Sequence, residues 1–385
     1  VWSDEAVKIE IRKAGFVNKG AELMLYAAME QVAAHYERVD FVMEPRKNMA
    51  PYIQRARAGL YQKLKRESRR SLPGELALKI SKRLRQSYGI VLDNELDAVL
   101  DVAGFAYGDQ FGPGRTVELA KDSLRWKRQG TKLILLPQAF GPFTSKEIRA
   151  AIRTVVENTE LIFARDEVSY KYLTDAAGEH KHIKVAPDFT NLVHGTVHEQ
   201  LNMTGRVGII PNGKMLSKTT NEISAEYVPF LTACAEYLKS MEASPFLLVH
   251  EGAGDRELAE QISSAAGGIE IIQINDARQI KGLIGSCKAI ISSRFHGLVN
   301  ALSQGVPALA TGWSHKYKML FDDYHFPQGL IERIGEQSHW KETIDAVIAD
   351  ESNHTIRSHL INRSEQLQRQ TAQMWTDVFR VLYLK

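Results

Sequence analysis

Short apolar runs punctuate the chain at Val7–Ile11, Val39–Met43, Ala98–Val102, Lys132–Leu136, Leu161–Ala164 and Ile183–Val185, and the stretches between them carry helical spacing. Strands that alternate with helices in this way predict parallel sheets with crossover helices. From Thr190 to Gly205 the pattern lapses into a polar stretch containing Gly195 and Gly205, the mark of a domain boundary. A second series then begins. It has apolar runs at Val207–Ile210, Phe246–Val249, Ile269–Gln273, Ala289–Ile291 and Ala308–Ala310, with helices at Ala225–Met241, after Asp255 and after Asp276. Two further helices are expected at Ser338–Asp350 and Asn353–Leu384.

This periodicity predicts an α/β protein with two Rossmann-like domains, residues 1–195 and 205–350. A C-terminal helix within 351–385 is long enough to return toward the first domain. A length of 385 residues agrees with two cores rather than one. Hydrophobic content of 44% with 25% charged residues is that of a water-soluble enzyme. No apolar run reaches membrane-spanning length and no signal peptide is visible, although the chain starts at Val1 without a methionine, which leaves open a native leader or anchor. Cys234 and Cys287 form neither a close-spaced pair nor a metal pattern, which points to a reducing compartment and a cytoplasmic protein.

The net charge of +3 conceals an asymmetry. Residues 45–90 hold 13 basic side chains and two acidic ones, Glu67 and Glu75, so this segment carries +11 and the remainder −8. Ile53, Leu60, Tyr61 and Leu64 are spaced to share one helix face, so a basic amphipathic helical insertion is expected, broken at Pro73-Gly74. Two readings stand side by side. One is a solvated insertion; the other is a peripheral surface for anionic membrane or a diphosphate-linked substrate. Nucleic acid is not expected, because Tyr52, Tyr61 and Tyr88 are too sparse for a stacking platform.

The richest chemistry lies at Ser292-Ser293-Arg294-Phe295-His296-Gly297, followed by Gly305-Val306-Pro307. Arg294 and His296 fall at the carboxyl end of the strand Ala289–Ile291, just before a helix at Leu298–Gln304, where open α/β sheets bind ligands. A guanidinium two residues from an imidazole suggests an anion clamp beside an acid or base. Other motifs say less. Gly208 to Met215 nearly matches a phosphate-binding loop, but Met215 stands where a magnesium-ligating hydroxyl belongs, leaving a plain loop or an anion contact through Lys214. Gly252-Ala253-Gly254 lacks the third glycine of a dinucleotide fingerprint, since Glu257 occupies that place. His194 and His198 read as solvated linker residues rather than metal ligands, and no metal or cofactor is expected.

The Ser-x-Arg-x-His-Gly and Gly-Val-Pro elements resemble the signature of the polysaccharide pyruvyl transferase family. The likeness extends in the family's order through Asn18-Lys19-Gly20-Ala21-Glu22, Ala103-Gly104 to Asp109, Pro137-Gln138-Ala139-Phe140-Gly141-Pro142-Phe143, Phe163 to Ser169, Ala186-Pro187-Asp188 and Lys316. It implies a GT-B-like arrangement, with the acceptor on the N-terminal side and the donor on the C-terminal side. It also implies transfer of the enolpyruvyl group of phosphoenolpyruvate onto two hydroxyls of a sugar or lipid-linked oligosaccharide. The products are a cyclic pyruvate ketal and phosphate, made in polysaccharide, exopolysaccharide or glycan biosynthesis. On this reading His296 moves protons and Arg294 and Arg165 clamp anions, while Asn18, Gly20, Gln138, Gly141, Ser293, Gly297 and Lys316 bind substrate. A salt bridge to Asp166 or Glu167 is the alternative use of Arg165, and a tight turn is that of Gly141. The rival enzyme reading is a GT-B nucleotide-sugar glycosyltransferase or a sugar-nucleotide epimerase.

Overall fold

A computed structural model describes residues 6–64, 81–196, 201–312, 314–331 and 333–382. Internal contacts divide the chain into two units. The first holds the chain up to Val17, Met24–Phe189 and the chain from Gln370; the second holds Asn18–Leu23 and Thr190–Arg369.

The first unit is built on β1 (Val7–Arg12), β2 (Val39–Met43), β3 (Tyr61–Leu64), β4 (Ile90–Leu92), β5 (Ala98–Asp101), β6 (Phe105–Tyr107), β7 (Lys132–Phe140), β8 (Leu161–Ala164) and β9 (Ile183–Val185). Their order is β4-β3-β2-β1-β5-β7-β8-β9, all parallel, with β6 pairing β7. The second unit holds β10 (Val207–Ile210), β11 (Pro245–Val249), β12 (Glu270–Gln273), β13 (Ala289–Ser292) and β14 (Ala308–Ala310), parallel in the order β12-β11-β10-β13-β14. The chain runs outward from β10 to one side and then returns to the other, so the switch point lies between β10 and β13. There the carboxyl ends of adjacent strands open a crevice for ligand.

Every residue of β10, β11, β13 and β14 is buried. Helices pack on such a sheet from both faces, which is why these strands read as unbroken apolar runs. Side-chain caps fix where the flanking helices begin. The Thr220 side chain accepts from Ile223 N before the helix Asn221–Ser240, and Asp276 accepts from Arg278 N and Gln279 N before the helix Ala277–Gly285. The last helix, Asp350–Leu382, is continuous. Its residues up to Arg369 group with the second unit and those from Gln370 with the first. Among the described residues no helix is long and apolar enough to cross a membrane.

The expected helical insertion at 45–90 is corrected. Its described parts include two short helices, Tyr52–Arg57 and Lys82–Ser87, the first leading into β3 and the second into the edge strand β4. The first helix cannot continue to Leu64 because Gly59 is left-handed at φ 72°. Leu60 N there donates to Arg55 O at 2.9 Å and Gly59 N to Ala56 O at 3.0 Å, the pair of bonds that closes a helix. The polarity is also the reverse of an amphipathic helix, since Ile53 is 60% exposed while Arg55 and Arg85 are buried. Arg55 Nε donates to Ala50 O at 2.8 Å, and Arg85 pairs with Glu95 at 2.7 Å. Lys63 lies inside β3, paired with Glu10 and 3.3 Å from Asp93. Among the eight described basic residues of this segment, Arg55, Lys63 and Arg85 are therefore used inside the fold. Residues 65–80, with Pro73-Gly74 and Lys65, Arg66, Arg69 and Arg70, lie outside the described residues, as does His198.

Candidate functional site

The second unit's site forms where the loops after β10, β11, β13 and β14 meet. Ser293, the first residue past β13, ties the loops after β10, β13 and β14 together. Its N donates to Ile210 O at 3.1 Å, its Oγ accepts from the Tyr227 hydroxyl at 2.7 Å, and it shares a 2.6 Å hydrogen bond with Thr311 Oγ1. Its carbonyl accepts from Asn212 Nδ2 at 2.7 Å and from the Tyr317 hydroxyl at 2.9 Å. Ser293 is fully buried, so this expected substrate-binding residue has its hydroxyl engaged within the fold. Gly297 is similarly internal, because a Cβ there would lie 2.8 Å from Ser292 Oγ and 3.0 Å from Ile210 Cδ1. The physical role of both is support: they let the helix Phe295–Leu302 start directly on the strand ends.

Arg294 caps that helix, and its guanidinium pairs with Glu251 on one side and Asp255 on the other. Both acids come from the loop and first helical turn after β11. To reach them, the arginine spans the end of β10. Asp255 also accepts from Gly213 N at 3.4 Å and from Glu251 N at 3.1 Å. Burial raises the Asp255 pKa against the pull of Arg294. For Arg294, burial works against the charge but Asp255 and then Glu251 outweigh it, so its pKa rises. His250, also at the end of β11, is buried and among the described residues has no hydrogen-bond partner at either ring nitrogen. Burial, then the Arg294 charge, push its pKa well below the usual imidazole range and hold the ring neutral.

His296 stands in the first turn of the same helix, partly exposed. It meets Gly20, the second residue of the helix Lys19–His35, so closely that a Cβ at position 20 would lie 2.2 Å from His296 Nδ1. Asn18 supports this turn. Its Oδ1 accepts from Ala21 N at 3.1 Å, and its backbone forms an antiparallel bridge with Glu251. Lys19 Nζ donates to Glu22 at 2.7 Å and to Asn275 O at 2.8 Å. Lys316 Nζ lies 5.0 Å from the centre of the Phe295 ring and 5.4 Å from that of Tyr317, within cation–π range. Asn18, Gly20, Arg294, His296 and Lys316 thus all belong to the second unit, with Glu251, Asp255 and His250 beside them as residues the sequence did not single out. An acid pair four apart behind an apolar strand was the available signal. Met215 is buried in the core within the short helix Lys214–Ser217, so this segment is a helical turn and not the plain loop expected.

The first unit holds the other three expected residues. Arg165 follows β8 and is buried; its Nη1 donates to Asp188 Oδ2 at 3.2 Å. Asp188 belongs to the Ala186-Pro187-Asp188 element. The neighbouring Asp166 caps the next helix, accepting from Ser169 N at 2.7 Å. Gln138 is fully buried in β7, with Nε2 3.3 Å from Asp101 Oδ1. Asp101 in turn accepts from Arg12 at 2.8 Å and from the Tyr107 hydroxyl at 2.6 Å. Gln138 therefore belongs to a polar network inside the sheet. Gly141, at φ 75°, packs where a Cβ would be 2.5 Å from Tyr172 Cγ, and a side chain there has neither room nor a relaxed backbone.

Solved structures share this fold. Anabaena Alr3699/HepE in complex with UDP-glucose superposes with a TM-score of 0.57 at 14% identity, covering 97% of this chain and 100% of that one. The S. aureus MnaA-UDP co-structure gives a TM-score of 0.60 at 11% identity, covering 99% and 98%. Similarity at such low identity establishes fold alone, and with the two parallel sheets it gives the two-domain, Rossmann-like GT-B class expected from the sequence. No curated protein matches the sequence. The model of the polysaccharide pyruvyl transferase family matches residues 18–315, from the turn that seats His296 to the edge of Lys316, and the chain belongs to that family.

Proposed function

We propose that the protein transfers the enolpyruvyl group of phosphoenolpyruvate to two hydroxyls of one sugar, forming a cyclic ketal and releasing phosphate. The observation that carries this reading is the Arg294–His296 pair, one fixed cation and one proton carrier at a strand's carboxyl end, in a chain of this family. The donor bears a carboxylate and a phosphate. A guanidinium binds either with two parallel hydrogen bonds. Ketal formation needs a proton at the methylene carbon, stabilised positive character at the central carbon and a base for each hydroxyl. His296 supplies the proton, Arg294 and Arg165 hold anionic groups, and Lys316 meets the departing phosphate. Asn18 and Gly20 orient His296. Gln138, Gly141, Ser293 and Gly297 serve by shaping the loops that carry these groups.

The test is purified protein with phosphoenolpyruvate and a panel of soluble and lipid-linked sugars. Acceptor-dependent loss of phosphoenolpyruvate with stoichiometric phosphate supports the proposal. Release of a nucleoside diphosphate from a nucleotide sugar, or its epimerisation, with no consumption of phosphoenolpyruvate would replace it by the rival reading.

A further inference from the structure

Arg294 carries one positive charge and touches two carboxylates, so the cluster has a net charge of −1 where the proposed donor brings only negative groups. The two carboxylates are not equivalent. The Asp255 side chain is 3% exposed and is also held by the backbone N–H groups of Gly213 and Glu251. That of Glu251 is 30% exposed, and among the described residues Arg294 is the partner recorded for its carboxylate. Breaking the buried pair would strand a charge away from water, whereas the part-exposed one exchanges easily.

We propose that Glu251 is a resident stand-in for the donor's carboxylate, and that donor binding displaces it from Arg294 and turns it into the base for the incoming hydroxyl. The inference rests on the reading of the protein as a phosphoenolpyruvate-dependent transferase. The donor's carboxylate takes the Nη1 that Glu251 holds, and Asp255 on Nη2 keeps the guanidinium aimed. The position of Glu251 is suited to the task. The Glu251 backbone bridges to Asn18, which caps the turn carrying Gly20, and Gly20 seats His296, so base and acid hang from one turn.

The protons balance. In the first step the hydroxyl oxygen bonds to the central carbon while its proton passes to Glu251. The double-bond electrons take a proton from the His296 imidazolium, and the methylene becomes a methyl. In the second step the other hydroxyl bonds to the same carbon as the carbon–oxygen bond to phosphate breaks. Neutral His296 takes that hydroxyl's proton and Glu251 gives its proton to the departing phosphate. Both side chains end as they began.

The experiment compares wild type, Glu251→Gln and Glu251→Asp by titration calorimetry with phosphoenolpyruvate and by acceptor-dependent phosphate release. Glu251→Gln should bind phosphoenolpyruvate roughly two- to fivefold more tightly, because a competing part-exposed ion pair is gone. Its kcat should fall by about 10²- to 10⁴-fold, the usual worth of a general base. Glu251→Asp should recover part of that kcat. A residue that merely props up Arg294 would behave in the opposite way, with weaker donor binding and a loss confined to KM. That result, or an unchanged kcat, overturns the proposal while leaving the transferase reading intact. Wild-type protein that neither binds phosphoenolpyruvate nor releases phosphate from it overturns both.

Discussion

Replacement of Gly20 by alanine should disable the protein while leaving it folded. The new Cβ would lie 2.2 Å from Nδ1, 2.5 Å from Cγ and 2.9 Å from Cβ of His296. Comfortable carbon contacts begin at about 3.5 Å, so from the 2.2 Å contact the imidazole must retreat by roughly 1.3 Å. A displacement near 1 Å in a reacting group costs on the order of 10²-fold in rate. The backbone effect has the opposite sign. Position 20 lies in the first turn of the helix Lys19–His35 with no left-handed φ, and alanine there favours the helix by about 0.5–1 kcal/mol over glycine.

Loss of rate without loss of melting temperature is therefore the expected signature, with kcat reduced about 10²-fold in phosphate release from phosphoenolpyruvate. Gly114→Ala is the matched control, since that glycine also starts a helix and a Cβ there meets nothing within 4 Å. It should keep normal turnover. Activity of Gly20→Ala within threefold of wild type, in a protein that melts normally, would refute the idea that His296 must sit where Gly20 lets it.

Arg294→Lys should raise KM for phosphoenolpyruvate by about ten- to hundredfold in steady-state kinetics, because a point charge cannot reproduce a two-pronged, charge-assisted contact. His296→Ala should lose about 10²- to 10⁴-fold in kcat while calorimetry still detects donor binding; lost binding with normal turnover at saturation would make it a ligand contact only. Asp93 gives a pH prediction: burial raises its pKa, but the hydrogen bond from Arg125, the Lys63 charge and Trp126 together lower it below the ordinary aspartate value. A depressed folded pKa adds stability above the unfolded value of about 3.9 that is lost as pH falls through the folded one, so Asp93→Asn should melt lower at pH 7 and lose less on acidification from about pH 5 to 3.

The buried cluster around Lys63 also explains what the sequence concealed. Parallel strands covered on both faces announce themselves as continuous apolar runs, and β10, β11, β13 and β14 were all legible for that reason. The strand β3, Tyr61–Leu64, was not, because its Gln62 and Lys63 mimic a basic helix face. Lys63 is acceptable inside a sheet only because Glu10, Asp93 and the Trp126 ring, 5.3 Å away, surround it. All three are remote in sequence. A charge satisfied by distant partners leaves no local trace; Arg55 and Arg85 are buried on nearer partners, Ala50 and Glu95, which the helical spacing did not bring together.

The site divides along a similar line. The loop Ser292–Gly297 was legible as chemistry, but its spacing alone could not tell residues that face a ligand from residues that hold the loop. The structure separates them by burial and bonding. Ser293 spends its hydroxyl on Tyr227 and Thr311, and Gly297 makes room for Ser292 and Ile210, while His296 alone in the motif is partly exposed. Glu251 and Asp255 were missed because an acid pair at the start of a helix is ordinarily a solvated complement to the helix dipole. Only the order β11-β10-β13 brings them across one strand to Arg294. The arginine's charge, read in isolation as a clamp awaiting an anion, is in the folded chain already paired twice, so on the proposal above an anionic donor competes with a side chain for it. That competition, not the presence of the guanidinium, is what the sheet order adds to the sequence.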